Sequence, residues 1–219
     1  MADEDVRETN GASFVADLRV RYDDGQFEPQ DLRETPRAQF DEWFAEIVSS
    51  GVVAEPNAMV IATVDAAGTP STRTVLLKGV DDRGLSFFTN LGSRKSRDLQ
   101  QNLSISATFP WHAVHRQVTV MGDAELLPRS EVEAYFRSRP HESQLGAWVS
   151  EQSSVISSRD VVDDRWRELA ERYPPDSVIP VPDFWGGWLI RPRSVEFWQG
   201  RPSRLHDRDR KSTRLNSSH

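Results

Sequence analysis

STRTVLLKGVDDRGLSFFTNLGSRKS, residues 71–96, is the stretch on which the fold turns. Two runs rich in β-branched and aromatic residues, STRTVLLKGV and GLSFFTN, flank the turn-forming DDRG, the pattern of neighbouring strands. SRKSRDLQQN follows as a short helix that Ser93 is placed to cap. Upstream, AMVIATVD is another strand, closed by the AAGTP turn. Downstream, LSISATFPW, HRQVTVMGDAELL, FWGGWLIRP and SVEFWQG continue the series of strands. Strands that come in consecutive groups, without regular alternation with helices, argue against a doubly wound parallel sheet. They predict a mainly β chain, an antiparallel barrel with peripheral helices.

The helices lie around that series. Thr35 caps one, Pro36 suits its first turn, and Phe40, Trp43, Phe44, Ile47 and Val48 keep helical spacing up to a stop at Gly51. Residues 130–137, 142–149 and 158–173 read as three more, and residues 14–27 as a short helix with a turn at Asp24-Gly25. Residues 1–13 are acidic and polar and read as a disordered arm. No long linker divides the 219 residues, so a single domain is expected.

Composition narrows the function. Hydrophobic residues make up 37%, but seven Trp and ten Phe supply enough buried area for a packed core. With no cysteine, disulfides, thiolate metal sites and cysteine nucleophiles are excluded. No apolar run approaches the roughly 20 residues of a membrane helix. The N-terminus resembles neither a signal nor a transit peptide. The expectation is a cytoplasmic protein without a membrane partner. A net charge of −7 argues against a general nucleic-acid binder.

Nucleotide-loop, metalloprotease and serine-elbow motifs are absent, and the five histidines have no metal-ligand spacing. What recurs is cations set in apolar strands. Arg73 and Lys78 bound the run RTVLLK, and their odd spacing puts them on opposite faces of a regular strand. Either a bulge re-aims one of them or they serve two sites; edge charges with snorkelling stems are the plain alternative. Thr89 precedes a turn, after which Arg94 and Lys95 open a helix, where cations are unfavourable unless an anion is near. Taken singly, each is also compatible with ordinary surface charge. Tyr135, Arg139 and Ser143 are spaced by four, as a phosphate cradle on one helix face would be, although Pro140 argues for a break.

RTVLLKGVDDRGLSFFTNLGSRKS, FPWHAVHRQVTVMGDAELL, YFRSRPHESQLGAWVSEQSS, FWGGWLIRPRSVEFWQG and RLHDR stand in the order expected of the pyridoxine/pyridoxamine 5′-phosphate oxidase family, which the chain resembles over residues 14–208. The resemblance implies a Greek-key split barrel and a homodimer with FMN at the subunit interface. It implies oxidation of pyridoxamine or pyridoxine 5′-phosphate by O2. For FMN it points to Arg73, Lys78, Phe88, Thr89, Arg94, Lys95, Gln117, Gln152, Ser153, Trp198 and Arg208; Phe88 stands where the family frequently has Tyr. For substrate it points to Lys78, Tyr135, Arg139 and Ser143 at the phosphate, with Arg204 and His206 over the ring as the catalytic pair. Arg19 and Tyr22 match an N-terminal segment that covers the site.

The same resemblance gives a meaning to the basic segment 191–214, with eight Arg and Lys against three acids, as part of an anion pocket. A related flavin or deazaflavin reductase would lack the substrate set. A flavin- or pyridoxal-phosphate-binding protein without turnover is the non-enzymatic alternative. Residues 209–219 depart from the family's ending and lack any apolar period. They are expected to be a disordered, atypical tail that leaves a sheet edge exposed.

Overall fold

The computed structural model describes Leu18, Tyr22 and residues 27–212. Helix α1 spans Pro36–Ser50. The Thr35 hydroxyl accepts from the Ala38 N–H at 3.1 Å, and Gly51 takes the left-handed conformation at φ +64° that ends the helix. The face carrying Phe40, Trp43 and Ile47 is buried against the sheet. Thr35→Ala leaves that first-turn donor without its cap and should cost about 1 kcal/mol. Urea unfolding would read this as a lower midpoint at unchanged slope.

Eight strands form one antiparallel sheet: β1 Ala58–Val64, β2 Pro70–Leu76, β3 Gly79–Asp81, β4 Gly84–Asn90, β5 Ser104–Trp111, β6 Arg116–Leu126, β7 Trp185–Gln199 and β8 Asp207–Ser212. Their order is β2-β1-β5-β6-β7-β4-β3, with β8 also on β7. The non-sequential neighbours β1–β5 and β7–β4 come from long connections, as in Greek-key barrels. The sheet cannot be flat. Six strand spacings of about 4.8 Å would put β2 and β3 roughly 29 Å apart. Yet only Leu77 and Lys78 join them, a link that reaches about 11 Å when extended. The two ends of the sheet must therefore curl together. Met59, Ile61, Phe87, Phe109, Val118 and Phe197 fill the interior with the buried face of α1.

The remaining helices are α2 Arg94–Gln101, α3 Arg129–Ser138, α4 His141–Val149 and α5 Asp160–Arg172. Val132, Phe136, Leu145, Ile179, Trp185 and Leu189 make a second, smaller core where α3 and α4 meet β7.

Three expectations are corrected. The run STRTVLLKGV is two strands, not one. FWGGWLIRP and SVEFWQG are one 15-residue strand, whose register with β6 shifts between Met121 and Gly122. The domain does not end at Arg208: β8 pairs with Ser194–Gln199 of β7 as far as Ser212, covering the edge that was expected to be open. The sequence DRDRKS lacks an apolar face, but ladder bonds are made by backbone. Its half-buried side chains are polar, and Lys211 bridges Asp209 at 2.8 Å. The expected arm at 1–13, nearly all of the expected helix at 14–27, Arg19, and residues 213–219 of the tail lie outside the described residues. Leu18 and Tyr22, which are described, are not helical.

Candidate active site

A cavity of about 710 Å³ opens between β2, β4, α2 and the end of α3. Among the described residues its lining includes Arg73, Lys78, Arg94, Lys95, Arg97 and Arg139, and no Asp or Glu. Six cations facing one space without a carboxylate repel one another, and an anionic ligand relieves that repulsion. The strand break explains how Arg73 and Lys78 share it. Lys78 sits in the two-residue link, where its N–H donates to Ser86 O at 2.8 Å, so strand alternation no longer fixes its direction.

Lys95 is the deepest of the set, at 6% exposure. Its ammonium donates to Gln152 Oε1 at 2.8 Å, Thr89 Oγ1 at 3.0 Å and Ser93 Oγ at 3.2 Å, all neutral acceptors. Burial, and secondly the charge of Arg73, bring its pKa down to about 8. Ser93 thus serves the lysine and makes no side-chain cap to its helix. Thr89 also donates to Gln152 at 2.7 Å, and Asn90 donates to Ser150 O at 3.1 Å, which pins the loop carrying Gln152 and Ser153 against the cavity.

Arg73 donates to Thr63 Oγ1 at 2.6 Å and to Ser71 Oγ at 2.5 Å. Both hydroxyls in turn donate to the buried Asp98, at 2.6 and 3.2 Å. The carboxylate itself stays 3.9 Å from the guanidinium. It orients Arg73 through two hydroxyls without a close ion pair, and burial holds the arginine pKa below its usual value. Asp98, Thr63 and Ser71 carried no sequence signal beyond ordinary polar residues.

At the other wall, Phe88 stacks on Tyr135 with centroids 3.9 Å apart and an interplanar angle of 15°. Gly187 lies opposite Phe88 in the ladder, and a Cβ there would meet the Phe88 ring at 2.8 Å, so only glycine admits this ring position. Burial raises the Tyr135 pKa and lowers that of Arg139. Arg139 Nη1 is buried without a hydrogen-bond partner. Ser143 does not line this cavity. Pro140 ends one helix and starts the next, so spacing by four does not place the three residues on one face.

The rest of the expected set lies elsewhere. Trp198 and His206 have ring centroids 4.7 Å apart, and Tyr22 packs against both, at 6.3 and 5.7 Å. His115 joins them, 4.3 Å from Tyr22. Gln117 and Arg208 are the ladder partners of Trp198 on either side. His206 Nδ1 accepts from the Arg201 N–H at 3.0 Å, which leaves Nε2 as the nitrogen able to donate. Arg204 sits nearby in the left-handed region, at φ +62°, following Ser203 at +57°. Strand β7 separates the two groups: Trp185 lines the cavity at its start and Trp198 stands 13 residues on, about 40 Å of strand path.

The basic segment also divides. Arg191 pairs with Glu125, Arg193 with Asp123, Arg201 with Glu28 and Asp207, and Arg208 with Glu196. Much of its charge is local pairing. Arg204 has no carboxylate partner among the described residues.

A split barrel with a cation-lined cavity has the makings of an anion-binding protein, and comparison with known proteins gives its family. Residues 48–173 match the family model described as pyridoxamine 5′-phosphate oxidase. Residues 185–214 match the model described as the pyridoxine 5′-phosphate oxidase C-terminal dimerisation region. This match runs past Arg208, in keeping with β8. Pyridoxine/pyridoxamine 5′-phosphate oxidase of Frankia casuarinae is 54% identical over 192 residues, 87% of this chain and 72% of that protein. The Streptomyces avermitilis oxidase is 52% identical, with 88% of each chain covered. Among solved structures, PhzG from Burkholderia lata, in complex with tetrahydrophenazine-1-carboxylic acid, superposes with a TM-score of 0.82 at 28% identity, covering 89% of this chain and 95% of PhzG. An FMN-binding protein from Nostoc punctiforme, at 18% identity and a TM-score of 0.61 over 84% of this chain and all of that one, shares the fold. The chain belongs to the pyridoxine/pyridoxamine 5′-phosphate oxidase family, and it is an oxidase.

Proposed function

We propose that the chain, as a homodimer, binds FMN and oxidises pyridoxamine or pyridoxine 5′-phosphate to pyridoxal 5′-phosphate, with O2 as acceptor and H2O2 as product. The observation that carries this reading is the cavity with six cations and no carboxylate among its described lining residues, a donor set suited to two phosphates. The names of its relatives, pyridoxine/pyridoxamine 5′-phosphate oxidases, point to the substrates. Bound flavin supplies the acceptor for a hydride from the substrate's C4′ and a route for its electrons to O2.

The protein's part is binding and orientation. Arg73 and Lys95, with Arg94, Thr89, Gln152 and Ser153, would hold the cofactor phosphate. Lys78, Tyr135 and Arg139 would hold that of the substrate. Arg204 and His206 would lie over the pyridine ring, with Gln117, Trp198 and Arg208 beside the flavin. One chain keeps these groups at opposite ends of β7. A two-fold dimer brings the second group of each copy to the cavity of the other, so that two sites form from two halves. For the amine, water then hydrolyses the imine, releasing ammonia with the aldehyde.

Purified protein given FMN and pyridoxamine 5′-phosphate should yield aldehyde and peroxide in equal amounts, with flavin absorbance co-eluting at dimer size. A colourless monomer that ignores FMN would overturn the reading.

A further inference from the structure

We infer that Trp185 is a positioning residue for substrate phosphate, acting through Arg139 and Tyr135; this rests on the function proposed above. The Arg139 guanidinium carbon stands 4.9 Å from the centroid of the Trp185 ring and 5.8 Å from that of Phe136. No carboxylate pairs with Arg139 among the described residues, and its Nη1 is buried without a partner. Trp185 is also parallel to Phe88 (5.5 Å, 9°) and to Tyr135 (6.0 Å, 7°), while Phe136 meets it edge-on at 5.1 Å and 73°. The four rings and the guanidinium form one wall, with every member within 6.0 Å of the Trp185 ring centroid.

The chemistry of the wall explains the choice of residue. A long arginine side chain needs something to fix it before the ligand arrives, or ordering it weakens binding. A carboxylate would fix it but would cancel the charge that a phosphate needs and occupy the N–H donors. An aromatic face attracts the cation while leaving the donors at the edge of its plane free. The Tyr135 ring is held in the same way, by stacking that leaves the hydroxyl unused. Trp185 is rooted in the smaller core and at the start of β7, so it transmits the rigidity of the barrel to both phosphate-binding side chains.

The test compares holoenzyme carrying Trp185→Met, which keeps an apolar side chain without a π face, and Trp185→Phe, which keeps a weaker one. Trp185→Met should raise the KM for pyridoxamine 5′-phosphate about three- to thirtyfold, the range of a partly desolvated cation–π contact. The inhibition constant of inorganic phosphate should rise by a similar factor. FMN affinity and kcat should stay within about twofold, and Trp185→Phe should recover most of the loss. A KM and phosphate inhibition constant that do not move would overturn the inference, as would kcat and FMN affinity falling by the same factor as KM rises. Should Trp185→Met fail to fold, Trp185→Phe carries the same comparison, with an expected rise of about two- to threefold; no rise overturns the inference. Failure of the unsubstituted protein to oxidise pyridoxamine 5′-phosphate at all would instead sink the proposed function.

Discussion

Lys95→Met should take up FMN about ten- to a hundredfold more weakly than the unsubstituted protein, the scale of one hydrogen bond to a charged group. Among the described residues the lysine's partners are neutral oxygens, so its charge is available to a ligand. Its pKa near 8 makes the effect depend on pH. Below 8 the ammonium is charged and the anion binds well; as pH rises through 8 the apoprotein loses that charge and affinity falls. The variant should lack this step. Stability moves the other way. The folded apoprotein releases the Lys95 proton near 8, and the unfolded chain at the ordinary lysine value of 10.5. Between those values the unfolded chain binds more protons, so the Lys95 contribution to stability rises with pH, by roughly 2–3 kcal/mol across the window. Unfolding curves of both apoproteins at pH 7.5 and pH 10 would read this as a difference between the two slopes. Equal FMN affinities, or a pH step that persists in the variant, would show that Lys95 does not hold the phosphate.

Arg204→Ala should lower kcat about ten- to a hundredfold while changing FMN affinity little, because a guanidinium lost from the reacting end removes one charge-assisted contact. The same variant tests how the site is assembled. When Arg204→Ala and Lys95→Met subunits are refolded together, half of the dimers are mixed. Each mixed dimer has one site with both defects and one with neither. The mixture should therefore regain about a quarter of the unsubstituted activity if sites form across a two-fold interface. No recovery in dimers shown to be mixed would mean that each chain completes its own site.

The sequence made some of this legible and hid the rest for physical reasons. Thr35, Pro36 and Gly51 marked α1 because cap chemistry is local. Lys95 could be suspected because a cation at a helix start conflicts with the helix dipole. The positions of Arg73 and Lys78 were ambiguous because strand alternation assumes an unbroken strand, and the break at Leu77–Lys78 is set by barrel closure. The spacing of Tyr135, Arg139 and Ser143 by four did not put them on one helix face because Pro140 resets the helical phase. Trp185 looked like one more aromatic in FWGGW; its contact with Arg139 depends on packing between distant elements. The DRDRKS strand was missed because a strand laid on an existing edge needs backbone partners more than an apolar period.

Leu77 and Lys78 carry two duties at once. They bring the ends of the sheet together, and they carry Lys78 to the same cavity that Arg73 lines. A residue inserted there would slacken the ring and reverse the side-chain alternation beyond it. The β1–β2 turn at residues 65–69 has neither duty, and its length is free to drift. Lengthening that hairpin should leave the cavity's span intact, whereas the seam acts as a caliper and holds it.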